Sequence, residues 1–311
     1  MIDFTSLPKR KKAYAGANGS KISVIYENEL YMLKFPPVPT RNKEMSYSNS
    51  CISEYIGCHI FQNVGIPVQE TLLGTYTSQG KEKVVVACKD FTRPGIVLQD
   101  FASVKNQVID SRRNGYGTEL KDLLYAFENQ NVIDSKILTE RFWDMFVVDA
   151  LIGNWDRHNG NWGFLYDTVN DSLTLAPVYD CGSSLYPQAN DALMEEILSN
   201  PQDLNYRIYE IPTSAITING KRINYFRYLT SNDNQDCDAA LLRIFPRISL
   251  NDIQSIVQDT PFISPLQKTF YQTMLEQRYE KILLPAYELA TEHQAENTWE
   301  AETDPEDDFE L

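Results

Sequence analysis

Residues 153–164 read Gly153-Asn-Trp-Asp-Arg-His-Asn-Gly-Asn-Trp-Gly-Phe164 and spell Gly-Asn-Trp twice, at 153–155 and at 160–162. The stretch follows Thr139 to Ile152, a long apolar run with helical periodicity and no internal Pro, and it leads into the strand-like run Trp162 to Tyr166. It therefore reads as a polar loop between a helix and a strand. Asp156 and Asn161 stand five positions apart inside it. The first copy closes the helix, so Asn154 and Trp155 are expected to cap and pack. The second copy opens the strand, and Asn161 is the member expected to do chemistry.

Working outward, Ile22 to Tyr26 and Leu30 to Phe35 are β-type runs around Glu27-Asn28-Glu29, which predicts an antiparallel hairpin. A small-residue turn, Ala15-Gly-Ala-Asn-Gly-Ser-Lys21, precedes it. Ser48 to Val64 places Ile52, Ile56, Ile60 and Val64 at intervals of four, which predicts one helix, stopped by Gly65-Ile66-Pro67. Thr71 to Thr77 and Lys83 to Cys88 read as two more strands. After Lys89-Asp90 the character turns helical, with Leu120 to Phe127 and Thr139 to Ile152, interrupted by a hairpin whose turn is Asp167 to Asp171. Asp191 to Ser199, Asn251 to Val257 and Pro265 to Leu284 read as helices, and Ala215 to Phe226 as a hairpin around Asn219-Gly220. A strand-rich first part holding one helix, followed by a mainly helical second part, predicts an α+β fold in two lobes, 1–90 and 91–291. Residues 292–311 hold nine acidic residues and no Lys or Arg, and are expected to form a solvated, flexible tail.

The 311 residues carry 28 Lys and Arg against 43 Asp and Glu, a formal net charge of -15. That is the wrong sign for tracking nucleic-acid phosphates, so direct nucleic-acid binding is not expected and any phosphate must meet a local site. Cys51, Cys58, Cys88, Cys181 and Cys237 are odd in number and scattered, which fits reduced thiols and neither zinc nor a disulfide framework. No apolar run is long enough to span a membrane. The basic cluster at Lys9 to Lys12 follows the first apolar residues and no apolar signal segment exists, so the expected location is the cytoplasm.

Several residues outside the loop suit phosphate chemistry. Lys34 is a lone cation in the apolar strand Tyr31 to Phe35, either facing solvent or paired, and Glu54 on the predicted helix is its candidate partner. Such a pair would hold Lys34 against the phosphates of ATP. The turn holding Gly16, Gly19, Ser20 and Lys21 offers backbone N–H groups at a hairpin entry, although it is not a Walker loop, since a strand follows it. The strand end Cys88-Lys89-Asp90, where the two halves join, completes the expected nucleotide-binding set. In the loop, Asp156 suits the orientation of an acceptor hydroxyl and the amide oxygen of Asn161 suits Mg2+. Beyond the second hairpin, Pro177-Val-Tyr-Asp-Cys-Gly182 sets Asp180 as a second Mg2+ ligand in an Asp-x-Gly turn. His158 reads as a loop-structuring imidazole rather than a base. Glycine turn, strand Lys, helix Glu, Asp-x4-Asn loop and Asp-x-Gly turn follow one another in the order of a protein kinase.

In these segments the sequence resembles the HipA-like serine/threonine protein kinases of bacteria. The resemblance rests on Ala15 to Pro37, Ser53 to Val68, Leu151 to Leu165 and Leu175 to Leu185, about 170 residues in order. It implies a kinase-like fold with a β-rich N-lobe, one αC-type helix and a helical C-lobe. It further implies Lys34 and Glu54 as the phosphate-binding pair, Asp156 as the catalytic Asp, and Asn161 with Asp180 for Mg2+. The implied partners are ATP, a protein Ser or Thr acceptor, and the protein itself by autophosphorylation, for which Ser183 and Ser184 directly after the Asp-Cys-Gly turn and Ser20 in the glycine turn are candidate sites by their position. Asp-Arg-His-Asn-Gly-Asn161 also resembles the loop of phosphoinositide kinases, which leaves a lipid or small-molecule acceptor as the alternative. The segment Ser183 to Gln202 lacks the cations an anionic head group needs. A nucleotide-binding pseudokinase is a further alternative, and the joint presence of Lys34, Asp156, Asn161 and Asp180 weighs against it.

Overall fold

The computed structural model describes residues 2–14, 20–37, 47–109 and 113–303, with side chains up to 296. In the first lobe β1 (Ile2–Asp3), β2 (Lys9–Arg10), β3 (Lys21–Tyr26) and β4 (Glu29–Lys34) precede α1 (Ser50–Asn63), which is followed by β5 (Thr71–Ser78) and β6 (Lys81–Lys89). The strands form one sheet in the order β1-β5-β6-β4-β3-β2, antiparallel except where β1 lies parallel to β5. Both hairpins close through two left-handed residues, Glu27 and Asn28 in one and Gln79 and Gly80 in the other. That backbone matches the twist of the flanking strands, so each turn pins its register. Within β6 the alternation is complete: Val86 and Cys88 enter the main core, while Val85 and Ala87 join Phe4, Val24, Tyr31, Leu33 and Tyr76 on the opposite face.

The helix α1 is buried almost all round, through Cys51, Ile52, Ser53, Glu54, Ile56, Gly57, Cys58, Ile60 and Phe61. Its neighbours explain why. One side packs on β5 and β6 and the other on the helical lobe, so a single apolar cluster runs from Leu73 and Val86 through Ile56 and Ile60 to Leu151, Val178 and Cys181. A helix apolar on every side is what such a position requires. A Cβ added at Gly57 would stand 2.8 Å from the Cβ of Cys181, so glycine sets how closely α1 approaches the Asp-Cys-Gly turn.

The second lobe begins with β7 (Ile96–Asp100), α2 (Phe101–Val108), α3 (Leu120–Asn129) and α4 (Ser135–Ile152). The hairpin β8 (Gly163–Asp167) and β9 (Ser172–Leu175) pairs with β7 in a three-stranded sheet. Then come α5 (Asp191–Ser199), α6 (Pro201–Tyr209), the short hairpin β10 (Thr217–Ile218) and β11 (Lys221–Arg222), α7 (Tyr225–Leu229), α8 (Gln235–Ile244), α9 (Leu250–Asp259), α10 (Pro265–Arg278) and α11 (Leu284–Thr303). A parallel bridge between Val68 and Val178, closed by Gln69 N donating to Val178 O and Val178 N to Pro67 O, each 2.8 Å, ties the lobes beside Asp180.

The run 265–284 is helical as expected, with a π-helical turn, Tyr279–Leu283, between α10 and α11. Two readings need correction. The hairpin at 215–226 has strands of two residues, and its last residues already belong to α7. The backbone of α11 is helical as far as Thr303, well inside the expected tail, because no Gly or Pro interrupts 286–303.

The close approach at Gly57 gives a direct test. Gly57→Ala overpacks the joint between α1 and Cys181, and a loss of about 1–3 kcal/mol in unfolding free energy is expected by urea titration.

Candidate active site

Lys34 closes β4 and its ammonium meets two carboxylates: Glu54 Oε2 at 2.9 Å and Asp180 Oδ1 at 3.0 Å. The pairing expected at Glu54 is therefore present, with Asp180 as a second partner. Burial acts first against the charge on Lys34, but Asp180 and Glu54 outweigh it and hold its pKa well above the usual lysine range. Burial likewise opposes ionisation of Asp180, and Lys34, Arg157 and Lys21 reverse that, so Asp180 titrates below the ordinary carboxylate range. Asp180 also holds a left-handed backbone, φ 61°, a conformation that costs a non-glycine residue energy and turns its carboxylate toward Lys34. Gly182 follows, and a Cβ there would stand 3.0 Å from Glu54 Oε2.

Lys21 lies directly opposite Lys34 in the β3–β4 register. Burial, then the neighbouring Lys34 charge, lower its pKa. The carboxylates of Asp180 and Glu54 act against that lowering, so the two lysines and the two carboxylates form one charged cluster. Ser20 is exposed, and its carbonyl accepts from Phe35 N at 3.1 Å. Gly16 and Gly19 lie outside the described residues.

Cys88 is buried beside Lys34. Lys89 N donates to Glu70 O and Asp90 N to Leu30 O, both at 2.8 Å, so these two N–H groups belong to the sheet. The Asp90 carboxylate accepts from Lys12 Nζ at 2.5 Å, Tyr14 Oη at 2.8 Å and Thr92 N at 2.9 Å. Asp90 thus clasps the segment leading to the glycine turn.

Asp156 and Asn161 come together through the loop backbone: Asn161 Nδ2 donates to Asp156 O at 2.8 Å, and its Oδ1 accepts no hydrogen bond among the described residues. Burial raises the pKa of Asp156 above the ordinary carboxylate range, and the nearby Asp180 adds to the effect. His158 Nδ1 accepts from Gly160 N at 3.0 Å, which shapes the loop. In the first Gly-Asn-Trp copy, Gly153 ends α4 in the left-handed conformation and buried Asn154 joins Asp149 Oδ1 at 2.9 Å to Asp156 N at 3.1 Å.

The residues that motif reasoning missed are Arg157 and Asp149. The Arg157 guanidinium is buried and grips Asp149 through Nε at 2.9 Å and Nη2 at 3.2 Å. It also donates to Asn161 O at 2.8 Å, to Tyr179 O and to Cys181 Sγ at 3.4 Å. One side chain therefore joins the end of α4, the Asp-x4-Asn loop and the Asp-x-Gly turn. A charge followed by an apolar helix residue is spelled no differently when it faces water, so only the apolar character of α4 around Asp149 hinted at it. Ser184, expected as a modification site, is buried and donates to Cys181 O at 2.7 Å, whereas Ser183 is half-buried.

The architecture and the Lys34, Asp156 and Asp180 corner together define a kinase-like cleft between a sheet lobe and a helical lobe. Residues 10–249 match the HipA-like C-terminal domain family. The chain is 53% identical over 293 residues to the serine/threonine-protein kinase CtkA of Helicobacter pylori strain J99, covering 94% of this chain and 89% of that protein. The crystal structure of the Helicobacter pylori proinflammatory kinase CtkA superposes with a TM-score of 0.89 at 52% identity, covering 94% of this chain and 98% of that one. HipA of Shewanella oneidensis, solved with HipB and operator DNA, shares the fold at a TM-score of 0.53 and 15% identity, over 91% of this chain and 68% of that one. The chain belongs to the HipA-like C-terminal domain family and, within it, to the serine/threonine protein kinases. No helix among the described residues is long and apolar enough to cross a membrane.

Arg157→Ala would strand Asp149 as an unpaired buried charge, and a loss of about 3–5 kcal/mol in unfolding free energy is expected. Arg157→Lys should recover only part of it, because an ammonium cannot match the planar fork that meets three segments at once. Paired urea titrations of the two variants measure the difference.

Proposed function

We propose that this kinase transfers the γ-phosphate of ATP, with Mg2+, to Ser or Thr hydroxyls of a protein, its own included. The observation that supports this reading best is the meeting of Lys34, Glu54 and Asp180 at one corner of the cleft, with Asp156 and Asn161 locked beside them by Arg157. The donor set fits a magnesium ion: Asn161 Oδ1 has no hydrogen-bond partner among the described residues, Asp180 stays ionised, and hard oxygen ligands from one or two side chains plus phosphates are the usual surroundings of that ion. Bound between Asn161 and Asp180, it would neutralise charge on the β- and γ-phosphates.

Each side chain then has a distinct task. Lys34, held by Glu54 and opposed by Lys21, binds the phosphate oxygens. Asp156 orients the acceptor hydroxyl toward the γ-phosphorus and takes its proton as the new O–P bond forms and the bridging bond to ADP breaks. Burial keeps that carboxylate more basic than usual, which favours its accepting the proton. For autophosphorylation, exposed Ser20 at the entry to β3 is the accessible candidate, Ser183 is less so, and buried Ser184 is not one.

Incubation with labelled ATP and Mg2+ should label the protein and a generic protein substrate. Absence of label on both would overturn the reading. Asp156→Asn should lower turnover roughly a hundred- to ten-thousandfold while ATP affinity stays within a few fold. A variant that also loses nucleotide would reassign Asp156. Asp180→Asn should instead weaken Mg2+-dependent nucleotide binding, read by calorimetry.

The doubled Gly-Asn-Trp separates two effects. Asn161→Ala should raise the Mg2+ concentration needed for half-maximal transfer, and Asn154→Ala should lower the urea midpoint. Reversal of the two phenotypes would show that the copies had been assigned the wrong way round.

A further inference from the structure

The charge of the chain is unevenly divided. Residues 91–311 hold 17 Lys and Arg against 35 Asp and Glu, and Ser183 to Tyr206, following the Asp-Cys-Gly turn, contain no cation at all. An anionic residue beside the acceptor hydroxyl would be repelled by such a lobe unless a cation met it locally. One stands there. Arg222, exposed on β11, donates Nη2 to the carbonyl of Trp155 at 2.7 Å, and Trp155 immediately precedes Asp156. That bond aims the guanidinium at the Asp156 end of the cleft and, among the described residues, leaves its other four donors without a hydrogen-bond partner.

On the side assigned to the acceptor, the Arg222 charge reaches Asp156 together with those of His158 and Arg157. The hairpin that presents Arg222 is held rigidly. Glu119 accepts from Asn219 N at 2.5 Å, Gly220 N at 3.1 Å and Thr217 Oγ1 at 2.9 Å, so the turn cannot swing away from the lobe. Close by, the Tyr47 ring stacks on Trp155 with centroids 6.1 Å apart, giving the same wall an apolar surface. A preorganised guanidinium with open donors, beside an aromatic wall, suits a carboxylate or phosphate carried by an extended peptide.

We propose that Arg222 is a specificity-determining residue that recognises an anionic side chain next to the Ser or Thr acceptor. This rests on the protein-kinase reading above. The shared chemistry is an oxyanion, supplied by Asp or Glu or by a phosphoserine already present in the acceptor.

The test compares Ser-acceptor peptides that differ only at flanking positions, bearing Ala, Asp, phosphoserine or Lys, with wild-type protein, Arg222→Gln and Arg222→Glu. Wild type should prefer the Asp and phosphoserine peptides over the Ala peptide in kcat/KM. Arg222→Gln should lower that preference by about threefold to fivefold, the weight of a single exposed ion pair, and Arg222→Glu should invert it in favour of the Lys peptide. Equal loss on all four peptides would overturn the inference, since it would make Arg222 a phosphate or structural contact. An unchanged ratio would overturn it as well. If wild type phosphorylates none of them, the kinase reading itself fails. Titration of the same peptides with Ala in place of the acceptor Ser, read by fluorescence anisotropy, then decides the Arg222 assignment by the same ratio.

Discussion

A guanidinium taken out of water must have its donors met and its charge balanced, or burying it costs several kcal/mol. Arg157 satisfies that requirement by reaching three separate segments: the carboxylate of Asp149 on α4, the carbonyl of Asn161 in the loop, and Tyr179 and Cys181 in the Asp-x-Gly turn. None of those segments can move alone without breaking a bond to a buried charge. Asn154 extends the same constraint to the Asp156 amide. The positions of both candidate metal ligands and of the candidate catalytic carboxylate thus follow from one electrostatic condition inside the core.

The lobes are coupled through a second feature, the helix α1. Because it is apolar on nearly every side, it shares one core with both lobes, and Glu54 can be delivered to Lys34 only while that core is intact. The glycine at 57 lets α1 touch the Asp-Cys-Gly turn, and the bridge between Val68 and Val178 fixes that turn from the other side. Two identical carboxylates then acquire opposite properties. Asp180, beside Lys34, is held ionised, while Asp156, where burial outweighs the charges around it, is made more basic. Environments that push like groups apart are how one site supports both charge binding and proton transfer.

Much of this was legible along the chain. The two hairpins, α1 and α4 were readable because side-chain periodicity and turn residues are local signals, and Asp191 to Ser199 forms a helix with the bounds its pattern indicates. The Lys34 and Glu54 pair was legible from a lone cation in an apolar strand. The strands β1, β2 and β7 were not, since no turn signal joins them to a neighbouring strand and they pair with partners distant in the chain. Asp90 shows the same limit at a functional position: its place at the strand end suggests a nucleotide contact, and its carboxylate is taken by Lys12, Tyr14 and Thr92.

The sequence by itself determined the two-lobed α+β character and the order of the candidate site residues along the chain. Only the tertiary structure decided that Arg157 turns inward, that Ser184 is buried, and that Arg222, far along the chain, stands beside Asp156. The reason is physical. Helices and turns are encoded by neighbours a few residues apart, whereas the partner of a polar side chain is set by which surfaces become buried, and that depends on contacts between segments the chain brings together only on folding.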